Sequence, residues 1–277
     1  MASELVRFVK DENVQKSIYE LLKDKKRVAS LTTSLITIAN TNGKITECKP
    51  QTVVNAALKA AALNLPIDPA LGQAAIVPYK NRGVYEAQFQ IQWKGWVQLA
   101  LRSNQYKTVA VAEVYDGQLI SEDPLRGYVF DWKAKKSDEV VGYVAFFELL
   151  NGFEKMNYMT REEVEEHAKR FSTAYQYDLR ENKKSSQWSI DFDSMGRKTA
   201  IKSLIDKWGP KSTDLQEALT YDQSVIKDTG RVYVDNLSDE QQEEQRAIDA
   251  ISNAQDPDEL TNIVTELPAD LQKKVTT

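Results

Sequence analysis

AAIVPYKNRGVYEAQFQIQWKGWVQLALRSN, residues 74–104, changes period part-way along, and that change decides the fold class. Two extended runs flank Asn81-Arg82-Gly83, a hairpin tip whose cations are Lys80 and Arg82. In the second run Tyr85, Ala87, Phe89 and Ile91 alternate with Glu86, Gln88, Gln90 and Gln92, giving one apolar and one amide-rich face. From Trp93 the spacing becomes helical. Lys94, Gln98 and Arg102 fall at i, i+4 and i+8 on one polar stripe, with Val97, Ala100 and Leu101 toward the core. Gly95 costs about 1 kcal/mol in a helix interior, and close approach of another backbone would account for it. A hairpin feeding straight into an amphipathic helix predicts an α+β fold.

Upstream, the first 64 residues read as helices, with stripes at Leu5, Phe8, Val9 and at Ile18, Leu21, Leu22, then Val28–Ala39 and Pro50–Leu63. LPIDPALG (65–72) stops the last of them, since two prolines and a glycine cannot continue a helix. Downstream, KTVAVAEVYDG reads as a strand, and VVGYVAFFELL with FEKMNYM forms a hairpin across Asn151-Gly152. Thr160 and Glu163 make a capping box for a helix through Phe171. After the polar loop ENKKSSQ, a helix from about Asp191 to Trp208 ends at Gly209-Pro210, and a short helix reaches Tyr221. The expected architecture is a small antiparallel sheet packed with helices, a helical N-terminus and a small helical C-terminal appendage. Residues 1–222 are read as the core, 223–236 as a linker and 237–277 as an acidic helical region.

Charge is distributed along the same division. The net charge is −5, but residues 223–277 hold 5 basic and 12 acidic side chains. That leaves 31 basic against 29 acidic in residues 1–222, so the core is mildly basic and can present a cationic patch. No apolar run is long enough to span a bilayer, the N-terminus lacks a signal-peptide pattern, and a single cysteine, Cys48, fits a reducing cytoplasm.

Several chemistries lack their residues. Asn42-Gly43-Lys44 has neither the upstream glycine nor the following hydroxyl of a phosphate-binding loop. His167 is the only histidine, beside Glu165 and Glu166, and reads as a solvated side chain; triads and Cys/His zinc sites have nothing else to use. No catalytic residue and no metal site is assigned. Glu148, Glu154, Asp191 and Asp193 keep open a Mg²⁺ nuclease, although Asp191 and Asp193 are equally explained as helix caps. A structural phage assembly protein is the other rival.

Cations and aromatics recur together on two helices. The first is Trp93-Lys94-Gly95-Trp96; the second is MGRKTAIK, 195–202, where Lys198 and Lys202 lie one turn apart opposite Ile201, Leu204, Ile205 and Trp208. Trp93 suits base stacking and core packing equally. With LNLPIDPALGQAAIVPYKN (63–81), FQIQWKGWVQLALRSN (89–104) and FDSMGRKTAIKSLIDKW (192–208) in this order, the sequence resembles the RecT family of phage and prophage single-strand annealing recombinases. Relatives often have Tyr-Arg-Gly where this chain has Trp93-Lys94-Gly95, which keeps the charge and loses the bidentate fork of arginine.

The resemblance implies ATP-independent binding of single-stranded DNA and annealing of complementary strands in homologous recombination, with no hydrolytic activity. It implies homo-oligomeric rings or helical filaments, and cooperation with a 5′→3′ exonuclease and a host single-strand-binding protein, in the cytoplasm of a bacterial host. No cofactor is required and Mg²⁺ is left open. As DNA-binding residues it points to Gln92, Trp93, Lys94, Arg102, Arg197, Lys198 and Lys202; Lys80 and Arg82 at the hairpin tip are added as steering cations.

Overall fold

The computed structural model describes residues 4–81, 83–123, 125–222, 224–227 and 230–233. An N-terminal helical layer comes first: α1 (Glu4–Val9), α2 (Glu12–Leu22), α3 (Lys25–Thr41), the single turn α4 (Gly43–Thr46) and α5 (Pro50–Ala62). Aspartates set its joints. Asp11 accepts hydrogen bonds from the Asn13 and Val14 amides, and Asp24 from those of Lys26 and Arg27, so each satisfies donors that a helix start leaves open. Pro50 opens α5, where its missing N–H costs nothing.

The alanine-rich α5 lies against β2 (Val84–Ile91), which pairs antiparallel with β1 (Ala74–Asn81) in the register Ala74↔Ile91. Then come α6 (Trp93–Arg102) and a separate three-stranded antiparallel sheet in the order β3–β6–β7, built from β3 (Tyr106–Tyr115), β6 (Val140–Leu149) and β7 (Glu154–Thr160). Between β3 and β6 the chain makes a ribbon, β4 (Leu119–Asp123) with β5 (Gly127–Phe130), whose Tyr128 and Phe130 pack on Tyr158. Thr160 and Glu163 form the expected reciprocal capping box of α7 (Arg161–Phe171). The chain continues as α8 (Thr173–Glu181), α9 (Gln187–Ile190), α10 (Phe192–Trp208) and α11 (Thr213–Tyr221), then pairs β8 (Ser224–Lys227) with β9 (Gly230–Tyr233).

The fold is α+β, as the change of period predicts. Three points differ from the sequence reading. The strands form four small antiparallel sheets among the described residues, not one. The ribbon β8–β9 lies within 223–236, where a linker was expected; the appendage 237–277 lies outside the described residues. The amide face of β2 is closed: Glu86, Gln88 and Gln90 are as buried as the apolar face, because both α5 and α11 contact the strand.

The centre of the core is the seam of α6, α10 and β6. Trp96, Leu99 and Ala100 of α6 and Ile201, Leu204 and Ile205 of α10 are essentially inaccessible, whereas Leu101, read as core, is exposed. Two glycines permit this closeness. A Cβ on Gly95 would collide with the Gln73 carbonyl, the backbone approach that its place in a helix suggests; one on Gly196 would enter the Tyr143 ring. Among the described residues no helix is long and apolar enough to cross a membrane.

Candidate nucleic-acid interface

The beginning of α6 opens onto a cleft of about 870 Å³. Gln92, at the N-cap of α6, fixes that corner by donating its amide to the Gln73 carbonyl at 3.0 Å. Trp93 is half-buried and carries a cation on each account: the Lys94 ammonium lies 5.6 Å and the Arg197 guanidinium carbon 5.3 Å from its ring centroid. Arg197 is oriented by Glu113 at 2.7 Å and Ser194 at 3.0 Å, while Lys94 is exposed. Two cations about one indole, at the edge of a cleft, can hold phosphate oxygens beside a stacking surface. The cleft is also lined by Lys44, Tyr79, His167 and Trp188.

The part of the wall that carries Trp188 is tied down by one carboxylate. Asp178 accepts from the Ser185 amide at 2.9 Å, the Ser185 hydroxyl at 2.5 Å and the Ser186 amide at 2.7 Å. Burial would raise its pKa, but these serine hydrogen bonds outweigh burial and hold it below the ordinary value of 3.8. A carboxyl with a depressed folded pKa stabilises fully above the unfolded value and loses that contribution as pH falls through the folded one. Protection of the amides over residues 185–190, taken relative to their intrinsic exchange rates, should therefore be full above about pH 3.8 and fall only in stronger acid. Asp178→Asn should bring the acid behaviour to neutral pH; unchanged exchange in that variant would remove the carboxylate from this role.

A model of the RecT family matches residues 29–247. The chain belongs to the RecT family. It is 39% identical over 195 residues to protein YqaK of Bacillus subtilis (strain 168), covering 70% of this chain. It is 27% identical over 182 residues to protein RecT of Escherichia coli (strain K12), covering 64% of this chain. In both cases the aligned part spans 64% of the relative's own length. The RecT match takes in the whole cleft rim described above.

Within this RecT-family core the residues expected from the sequence separate into four groups. Gln92, Trp93, Lys94 and Arg197 share the cleft. Arg102 instead donates to the Leu63 carbonyl at 3.0 Å, closing the end of α5, so it serves as a tie between helices. Lys198 and Lys202 do not line an open trough. Lys198 is 4% exposed and both ammoniums converge on Asp222, at 3.4 and 2.8 Å. The helical spacing puts Lys198 and Lys202 together on one face opposite the apolar sector; in the structure both turn onto Asp222, the residue that follows α11. Lys80 contributes backbone to β1, while its side chain and the whole of Arg82 lie outside the described residues.

The remaining candidates are accounted for singly. Asp191 caps α10 through the Ser194 amide, and Asp193 binds the Tyr143 hydroxyl at 2.6 Å and Arg161 at 3.0 Å. Glu148 is paired with Lys107 at 2.7 Å. Among the described residues no group of three or more acidic, His or Cys side chains could hold a metal ion. His167 is not the solvated side chain that its acidic neighbours suggest. It is partly buried against Phe171 and lines the cleft; burial, then the charges of Lys202 and Arg170, push its pKa down. Cys48 is an inert buried thiol, pushed up to about 12 mainly by burial. Sequence reasoning missed Lys44, Trp188 and Asp222. Lys44 was visible beside Gly43 but was weighed only as part of a nucleotide loop.

Proposed function

We propose that this chain binds single-stranded DNA in the α6–α10 cleft and anneals complementary strands without nucleotide hydrolysis, as a recombination protein. The observation that carries the reading is Trp93 with Lys94 and Arg197 about its ring at the mouth of the cleft. Membership of the RecT family supports it independently.

Annealing requires no bond to be made by the protein. It requires backbone repulsion to be reduced while bases remain free to test partners. Each phosphate neutralised on a single strand releases counterions and steepens the log–log salt dependence by about 0.7. Lys94 and Arg197 supply that neutralisation, Trp93 a sequence-tolerant stack, and Gln92 a backbone contact. The partners proposed with this activity are further copies of the chain in a ring or filament, a 5′→3′ exonuclease and a host single-strand-binding protein. The acidic residues 237–277 are the proposed recruiting segment, and the bacterial cytoplasm the proposed setting.

Complementary oligonucleotides mixed with the protein, without nucleotide or Mg²⁺, should form duplex faster than alone, with both strands full length on a denaturing gel. Shortened strands in added Mg²⁺ would replace this reading with a nuclease. An unchanged duplex rate would discard it.

A further inference from the structure

Several cations of α7 and α10 are tied to carboxylates within the fold: Arg161 to Asp193, Lys169 to Glu165, Arg197 to Glu113 and Lys202 to Asp222. Arg170 and Lys207 are not. Both are exposed, and neither makes an ion pair among the described residues. Both line a second cavity of about 420 Å³ beside α7, where Ser203, one turn before Lys207, adds a hydroxyl. A cation without an internal partner can meet a phosphate without first breaking an ion pair.

This cavity adjoins the main cleft, because His167 and Phe171 line both. Phe171, on that shared edge, is about half exposed. Its ring centroid lies 4.7 Å from that of His167, and the Arg170 guanidinium carbon lies 5.0 Å from it. The grouping repeats the one at the cleft mouth, an accessible aromatic ring with a cation upon it. It recurs beside the cavity. Trp208, expected in the apolar sector of α10, is also about half exposed, and the Lys155 ammonium lies 4.5 Å from its ring centroid. Aromatic faces left in water beside cations suit nucleobases, which stack on them without regard to sequence.

The spacing fits a strand. Ten residues of α10 separate Arg197 from Lys207, about 15 Å at the helical rise, or roughly four nucleotides of a stacked strand. Two carboxylates share the cavity. Glu163 is held in its capping box by the Thr160 amide at 2.9 Å, whereas Glu166 is exposed, one turn before Arg170.

We infer that the strand held at Trp93 continues across Phe171 into this cavity, where Arg170 and Lys207 bind its phosphodiesters and Trp208 stacks a base at the far end. The inference rests on the single-strand-binding reading above and extends the footprint from one aromatic–cation group to three. The arginine fork takes two phosphate oxygens at once, and the lysine acts as a point charge. Glu166 weakens the hold by repulsion.

The first readout uses the unaltered full chain. Ultraviolet cross-linking to oligo-dT, mapped by mass spectrometry, should mark peptides containing Phe171 and Trp208 as well as Trp93. Cross-links at Trp93 alone would overturn the inference. So would cross-links at Phe171 that form only after complementary oligo-dA is added, since the cavity would then serve the second strand. Arg170→Gln combined with Lys207→Gln should weaken oligo-dT binding by about tenfold or more and flatten the salt slope by about 1.4. The same charge change at Lys16 and Lys26, exposed on α2 and α3, should leave the slope as it was. A slope unaltered by the first pair, or flattened equally by both, would remove the site. Glu166→Gln should tighten binding by about two- to fivefold, a gain that misfolding cannot produce; unchanged affinity there would place the phosphates elsewhere. If the unaltered chain does not bind oligo-dT, the single-strand reading itself falls. Binding and annealing with no cross-link beyond Trp93 removes this extension alone.

Discussion

Lys94→Gln combined with Arg197→Gln should lower the affinity for single-stranded DNA by about two to four orders of magnitude, since each lost hydrogen bond to a charged group is worth about 1.5–3 kcal/mol. Both side chains line the cleft, Lys94 exposed and Arg197 paired with Glu113 at its edge, whereas the Lys198 and Lys202 ammoniums turn away from the cleft onto Asp222. The salt slope should flatten by about 1.4, corresponding to two phosphate contacts. Adding Trp93→Ala should cost a further 1–3 kcal/mol or so, and that loss should be nearly independent of salt because stacking carries no counterion term. Arg197 also pairs with Glu113, which lies 20% exposed and keeps a hydrogen bond from the Tyr115 hydroxyl at 2.9 Å. Loss of the guanidinium therefore leaves Glu113 solvated and partnered, and the unfolding midpoint should move little. Fluorescence anisotropy of a labelled oligonucleotide across a salt series separates the two contributions. A folded double variant that binds with the original affinity and slope would remove these side chains from the interface.

How much of this was legible in the sequence follows from the range of each interaction. The elements that were read correctly carry their signals locally. Asn151-Gly152 marks a hairpin tip, Thr160 and Glu163 cap a helix between them, and Gly209-Pro210 ends one. The ribbon β4–β5 escaped notice because charged residues and Pro124 interrupt any alternation between Leu119 and Phe130. Helices α8 and α9 lie in a polar stretch and owe their ends to serine caps more than to apolar spacing. Burial of the β2 glutamines could not be read from alternation, which reports that two faces differ but not that both are covered.

The site divides in the same way. Trp93 and Lys94 are adjacent in sequence, so their association was visible as a motif. The partner that captures Lys198 stands 24 residues later, and the carbonyl that captures Arg102 stands 39 residues earlier. Nothing in the helical stripe of either cation announces a distant acceptor. A stripe of cations at helical spacing shows that charges share a face; only tertiary packing decides which of them remain available to a phosphate.

Trp96→Ala should destabilise the core by about 3–5 kcal/mol, the range for deleting a large buried aromatic side chain, against a total for such domains of about 5–15 kcal/mol. Trp96 is inaccessible and sits where α6 meets α10, with the Lys202 ammonium 5.7 Å from its ring centroid. Its removal leaves a cavity that Gly95 and Gly196 offer no side chains to refill, and both helices are pinned by those close approaches. Trp96→Phe should cost much less than alanine. The indole Nε1 has no hydrogen-bond partner among the described residues, so phenylalanine removes an unsatisfied donor whose burial costs about 1–3 kcal/mol while most of the ring contact remains. Urea unfolding of the two variants should show midpoints falling in the order Phe, then Ala, with the slope of free energy on urea unchanged if the folded states are equally compact. At a temperature where Trp96→Phe is fully folded it should still bind oligonucleotide, since Lys94 and Arg197 keep their places. Equal midpoints for alanine and phenylalanine would mean that ring volume at position 96 does not hold the seam together, and the cleft would then have to be organised by the β6–α10 contact alone.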